Sequence, residues 1–271
     1  MTSFQQPYRE TSREFLMAVS PVPASNRTEL LAHCRAALSK RYRFQTAVIA
    51  QHFDDLGRSS AHLSWTELYR AAFKAWLSVA LPLLWIDAYA ASTVGPVNVV
   101  SIVVHQYEFL FDLVQERVVA VCGLSWKDKS PRDTKFMAEF LGAVTSERKV
   151  RALVVGLTAH HAVARRESVA KSWKDRFFDQ FGTDYDRGHF ISLRQGGVYD
   201  INLFPQRADV NRGRGQWRVY RDMETECVNR PGTFCFSRPI YDDLTWVPFE
   251  LEYGVVHAPE HMALRRFPNR P

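Results

Sequence analysis

Residues 185–213 read YDRGHFISLRQGGVYDINLFPQRADVNRG. Residues 186–193 and 199–204 have the character of two strands, and Gln195-Gly196-Gly197 between them suits a turn. Residues 215–228 then follow a helical pattern, and 233–240 and 249–256 return to strand. Strand, turn, strand, helix and further strand define an α+β arrangement for this end of the chain. In a strand, positions i and i+2 share a face. Arg187 and His189 therefore point one way and Asp186 the other, while Gly188 lets a neighbouring backbone come close.

A histidine beside a fixed cation is a reasonable general base, because the neighbouring charge favours neutral imidazole. Downstream stand Asn202-Leu203-Phe204-Pro205-Gln206 and Asn211-Arg212-Gly213. An asparagine oxygen is a hard ligand suited to Mg²⁺, which keeps most of its waters and so needs few protein ligands. From position 187 to 221 there are seven arginines (187, 194, 207, 212, 214, 218 and 221), no lysine, and two acids, Asp200 and Asp209. Guanidinium forks bind phosphate oxygens in pairs, so the run reads as a phosphate-facing patch, with a solvated surface as the plainer alternative.

Asp186-Arg187-Gly188-His189, followed by Asn202, Pro205 and Gln206 and then by Asn211 and Gly213, resembles the DNA/RNA non-specific endonucleases, a branch of the ββα-metal nucleases. The segment from Pro231 to Tyr241 looks like that family's strand after the helix, so the likeness covers about residues 180–256. It implies a ββα-metal nuclease domain with His189 as general base and Asn211 as ligand of one hydrated Mg²⁺, or Mn²⁺. It further implies Arg187 stabilising charge on the phosphate and Asn202 supporting the site through hydrogen bonds to His189 or its neighbours. The family usually carries a glutamate about two helical turns after the asparagine, and Val219 stands there in this chain. Glu224 is the best substitute and Asp222 the next, although a solvent-facing role for Glu224 fits the sequence equally. Arg212, Arg214, Arg218 and Arg221 are the candidate substrate contacts, or a mere coat on the helix.

Upstream the chain reads mostly helical. Asn26 caps a predicted helix to about Lys40, residues 42–56 suggest another, and Ser64-Trp65-Thr66-Glu67 is a capping-box pattern before a long apolar run. From Ala75 to Val104 the only charge is Asp87, but Pro82, Gly95, Pro96 and Asn98 divide the stretch. It is therefore expected to form buried helices joined by a turn rather than a membrane span. Phe109, Leu110, Leu113, Val114 and Val118 have helical spacing within 107–121. The polar run 127–133 is the candidate boundary between a helical region, 1–130, and the nuclease-like domain, 131–271. A helix over 134–148, a strand over 150–157 and a helix over 164–181 are expected beyond it.

The 271 residues, with 46% hydrophobic and 24% charged side chains and a net charge of +6, describe a soluble globular chain that permits a polyanionic partner. Cys34, Cys122, Cys227 and Cys235 match no zinc spacing; Cys227 and Cys235 could pair across a turn, but buried thiols are the simpler reading. His160-His161 and His257 with His261 lack an evident third ligand, and Trp217 reads as a core anchor. The polar N-terminus has no apolar core of a Sec signal peptide, so a cytoplasmic location, or delivery to a target cell, is expected. The leading reading is a metal-dependent endonuclease on DNA, RNA or both. The alternative is a nucleic-acid-binding protein on the same fold with impaired catalysis. Residues 1–130 would serve assembly into a homo-oligomer, or binding of an inhibitor, immunity protein or regulatory partner, as in a bacterial toxin or defence effector.

Overall fold

Ser64 opens the longest helix among the described residues through a reciprocal cap: Glu67 N–H donates to Ser64 Oγ (3.3 Å) and Ser64 N–H to Glu67 Oε2 (2.7 Å). The computed structural model describes residues 5–23, 26–104, 106–115, 117–125, 184–197, 202–245, 247–259 and 261–270. The expected boundary at 127–133, the elements expected over 134–181 and His160-His161 lie outside these residues. The described chain is α+β, with helices first and antiparallel strands after them. It divides into two compact units, Met1–Val94 with Val256–Met262, and Gly95–Val255 with Ala263–Pro271.

The first unit holds α1 (Gln5–Val19), α2 (Arg27–Arg41), α3 (Thr46–Ser59) and α4 (Trp65–Ser92). Asn26 caps α2 as its sequence suggests, its side-chain oxygen accepting from Glu29 N–H at 3.0 Å. Leu68, Ala72, Phe73, Trp76 and Leu77 recur at helical spacing on the buried side of α4. Phe15 of α1 meets Tyr69, Phe73 and Trp76 there. Helix α4 runs through Pro82 to Ser92, and is long and apolar enough by length and composition to cross a membrane. Helices joined by a turn over 75–104 are thus replaced by one continuous helix, a loop, and strand β1 (Val99–Val104). The run Val-Val-Ser-Ile-Val-Val favours strand because branched Cβ atoms pack well on a pleat.

The expected helix over 107–121 is also incorrect: this stretch forms β2 (Tyr107–Asp112) and β3 (Arg117–Leu124). Nearly every residue of both strands is buried, and a run apolar on both faces carries no period to separate strand from buried helix. The turn was signalled by Asp112, whose Oδ1 accepts from Val114 N–H at 2.9 Å. Strands β6 (Phe234–Ile240), β7 (Glu250–Ala258) and β8 (His261–Pro268) complete a six-stranded sheet ordered β1-β2-β3-β6-β7-β8. A separate antiparallel pair, β4 (Tyr185–His189) and β5 (Leu203–Arg207), precedes the short α5 (Ala208–Asn211) and α6 (Arg218–Asn229). One apolar core joins them to the sheet: Phe190, Phe204, Val210, Tyr220 and Met223 pack with Phe109, Val121, Cys235, Tyr253 and Phe267.

Phe204 is fully buried and stacks on Phe190, with centroids 4.3 Å apart and planes 5° from parallel. Phe204→Ala is expected to cost about 3–5 kcal/mol in urea unfolding; a loss below about 1 kcal/mol would show that this stack does not anchor β4 and β5.

Candidate active site

Strand β4 pairs with β5 in the register Asp186↔Gln206, Arg187↔Pro205, Gly188↔Phe204 and His189↔Leu203. Strand alternation puts Arg187 and His189 on one face and Asp186 and Gly188 on the other. A Cβ at Gly188 would stand 2.2 Å from Gln206 Cβ, so the glycine is what lets the buried Gln206 side chain cross β4. Beyond His189 the chain is clipped to its partner strand. Phe190 N–H donates to Asn202 O (2.9 Å), Asn202 Oδ1 accepts from Ile191 N–H (2.9 Å), and Asn202 Nδ2 donates to Ile191 O (2.7 Å). Asn202, fully buried, thus holds the two residues after His189 through their backbone. The Tyr220 hydroxyl donates to the carbonyl of His189 at 3.4 Å, joining α6 to the end of β4. The turn that follows is fixed too, for Tyr107 donates to Gln195 O (2.6 Å) and Gln195 Nε2 to Tyr253 (2.7 Å).

Helix α5 packs on β4 and β5 and ends at Asn211. Asn211 Nδ2 donates to Asp186 Oδ2 at 3.0 Å. The same oxygen accepts from Arg212 Nε (2.8 Å), and Asp186 Oδ1 accepts from an Arg212 terminal nitrogen (2.5 Å). An ionised carboxylate accepts and never donates. The NH₂ of Asn211 must therefore face Asp186, and its carbonyl oxygen is turned away from that carboxylate. A neutral, hard, oriented oxygen is a donor that fits a hydrated Mg²⁺ or Mn²⁺. Among the described residues there is no cluster of three or more His, Cys, Asp or Glu side chains able to cage a metal.

Glu224 lies on the buried face of α6 and not toward solvent. Burial pushes its carboxyl up to about 7, against the pull of Arg221 and Arg194. Arg221 pairs with it at 3.1 Å. Gly213 has φ +60°, and a Cβ on it would stand 2.5 Å from Arg221 Cγ. The Arg221 stem therefore rests on the turn just after Asn211 while its guanidinium reaches Glu224. Val219, where the resemblance would place a glutamate, is partly buried against the core. Asp222 instead pairs with Arg218 at 3.1 Å on the exposed side of the helix.

Of the arginines expected at substrate, Arg212 is thus engaged by Asp186, Arg221 by Glu224 and Arg218 by Asp222. Arg214 is exposed between Gly213 and Gly215, both in the left-handed region. Sequence reasoning left Asp186 without a role of its own and placed Arg194 only within the phosphate-facing run. Arg194 is exposed on the turn after Ile191 and acts on Glu224 through its charge; its place in the arginine run was the available signal. Trp217 is an anchor, bonded to Asp209 Oδ2 (3.1 Å) and edge-on to Phe267. All four cysteines are buried and free, so Cys227 and Cys235 form no disulfide. The rings of His257 and His261, on β7 and β8, lie with centroids 5.0 Å apart and planes tilted by 38°. Compared with known proteins, the chain matches no family model and no curated protein.

Two outcomes follow from this geometry. Gly188→Ala should cost about 1–3 kcal/mol by forcing Gln206 aside, read from urea unfolding; an unchanged midpoint would contradict the close approach. Because the folded state lifts Glu224 from 4.5 to about 7, it holds a proton that the unfolded chain releases within that window. Glu224 then contributes stability at low pH that is lost as pH rises through about 7, on the order of 3 kcal/mol in all. Glu224→Gln should flatten stability against pH across this window, whereas an unchanged slope would mean that Glu224 does not titrate there.

Proposed function

We propose that this chain is a metal-dependent endonuclease that hydrolyses phosphodiester bonds in DNA, RNA or both with little sequence preference. The carrying observation is the contact between Asn211 Nδ2 and Asp186, which aims a neutral oxygen away from the carboxylate at the end of α5. The ordered likeness to the DNA/RNA non-specific endonucleases supports the same reading, as does the succession of β4, β5 and α6, which suits a ββα-metal domain. Asn211 would hold one hydrated Mg²⁺ or Mn²⁺, which supplies charge stabilisation at the phosphate when bound.

His189 accepts a proton from the attacking water, whose oxygen forms the new bond to phosphorus. The bond from phosphorus to the leaving sugar oxygen breaks, and that oxygen takes up a proton. Arg187 neutralises charge on the non-bridging oxygens as it builds up. Asn202 and Tyr220 keep the backbone around His189 in place, so the imidazole is carried on a fixed strand end. Arg214 and Arg194 offer exposed cations to flanking phosphates. Arg218 can join them, since an exposed ion pair such as Arg218–Asp222 is worth at most about 1 kcal/mol and exchanges readily for a phosphate, whereas Arg221 is held by buried Glu224. Arg212 serves Asp186 in place of the substrate. The N-terminal helices, with a core of their own around Phe15 and Trp76, suit a role in delivery, assembly or restraint by an inhibitor or immunity protein, as in a toxin or defence effector.

Plasmid DNA and total RNA should be cut with Mg²⁺ or Mn²⁺ and spared in excess chelator. His189→Ala should lower cleavage about 10²–10⁴-fold with unchanged circular dichroism and nucleic-acid binding. Undiminished cutting in chelator, or by the alanine variant, would overturn the proposal; tight binding of nucleic acid without cutting in either metal would favour the binding-only alternative.

A further inference from the structure

We propose that Asp186 is the positioning residue of the metal site, and that Arg212 belongs to this support and not to the substrate clamp. The inference rests on the metal-dependent reading above. Three hydrogen bonds converge on the Asp186 carboxylate, one from Asn211 and two from Arg212. An amide has two chemically opposite ends, and its carbon–carbon rotor leaves them interchangeable unless a neighbour discriminates. A carboxylate discriminates fully: it accepts the NH₂ and repels the carbonyl oxygen. Asp186 therefore selects the one rotamer in which Asn211 presents oxygen, not nitrogen, to a cation.

The carboxylate itself is spent on this task. Oδ2 takes both Asn211 Nδ2 and Arg212 Nε, and Oδ1 takes the second Arg212 nitrogen. The two-point grip of Arg212 fixes the plane of the carboxylate, and with it the direction from which Asn211 must approach. Strand β4 supplies the remaining constraint, because pairing with Gln206 in β5 fixes Asp186 in register. Arg212 is adjacent to Asn211 in the chain, so one acid braces both the ligand and the residue beside it. Outer partners of this kind typically change metal affinity about 10–100-fold when removed.

The test is Mn²⁺ binding to the full chain, followed by the loss of the free-ion electron paramagnetic resonance signal, with no nucleic acid present. Asp186→Ala should weaken binding about 10–100-fold with the melting transition still cooperative. Asp186→Asn keeps one acceptor for Asn211 but loses the two-point grip of Arg212, and its affinity should fall between those of the alanine variant and the wild type. If the alanine variant does not fold, Asp186→Ser, whose hydroxyl is too short to reach Asn211, takes its place with the same expected loss. Wild-type affinity in the alanine or serine variant overturns the proposal, as does an asparagine variant as weak as alanine, which would make charge and not amide orientation the cause. A wild-type chain that binds no Mn²⁺ overturns the metal-dependent reading itself, and this inference with it.

Discussion

The pairing of β4 with β5 is the constraint from which the site follows. A slip of one residue would exchange the faces of β4, sending Asp186 where Arg187 and His189 now point. Register is held from both ends. Asn202 clips Ile191 through two hydrogen bonds at one end, and at the other Ala208 N–H donates to Asp184 O at 2.7 Å. Within the pair, the missing Cβ of Gly188 admits Gln206, so the strands lie in one closely fitted arrangement. Phe204 and Phe190 then anchor the pair in the core shared with the large sheet.

From this frame two separate contacts reach the residues of chemical interest. Asp186 grips Asn211 and Arg212 at the start of the turn leading to α6. Farther along, Gly213 makes room for the Arg221 stem, whose guanidinium carries the turn to buried Glu224. Helix α6 returns to β4 through Tyr220 and the carbonyl of His189. Its inner face, with Met223 and Cys227, is buried in the same core. The turn between α5 and α6 is built around Gly213, which lies against the Arg221 stem, and Gly215, which follows exposed Arg214. Burial raises the Glu224 carboxyl by more than Arg221 and Arg194 lower it, so its protonation follows from the fold.

How much the sequence disclosed depended on the range of each interaction. The caps at Asn26 and Ser64 were legible because their partners lie three residues away. The order of strand pair and α6 was legible for the same local reason, but the bounds were not: the first strand ends at His189 and not at 193, residues 193–195 form a 3-10 turn before Gly196 (φ +83°), and the second strand is Leu203–Arg207 in place of 199–204. The strands β2 and β3 were not, because residues buried on both faces lose the alternation that marks a half-exposed strand. Strand β8 went unread, since its exposed Arg265 and Arg266 mask the pattern. At the site, the face shared by Arg187 and His189 followed from alternation alone. That Asp186 meets Asn211, 25 positions away, did not, and neither did the burial of Glu224, which tertiary packing decides. An arginine-rich run likewise shows charge but not pairing; only the folded chain distinguishes Arg212, held by Asp186, from exposed Arg214.

On the proposed function, a divalent ion sits on the Asn211 oxygen, within reach of the water that His189 activates. The most direct measurement is anomalous diffraction from crystals of the full chain soaked in Mn²⁺. A single strong peak about 2 Å from Asn211 Oδ1, with waters completing its shell, is the predicted result. A peak held by carboxylates elsewhere, with Asn211 left unligated, would contradict it.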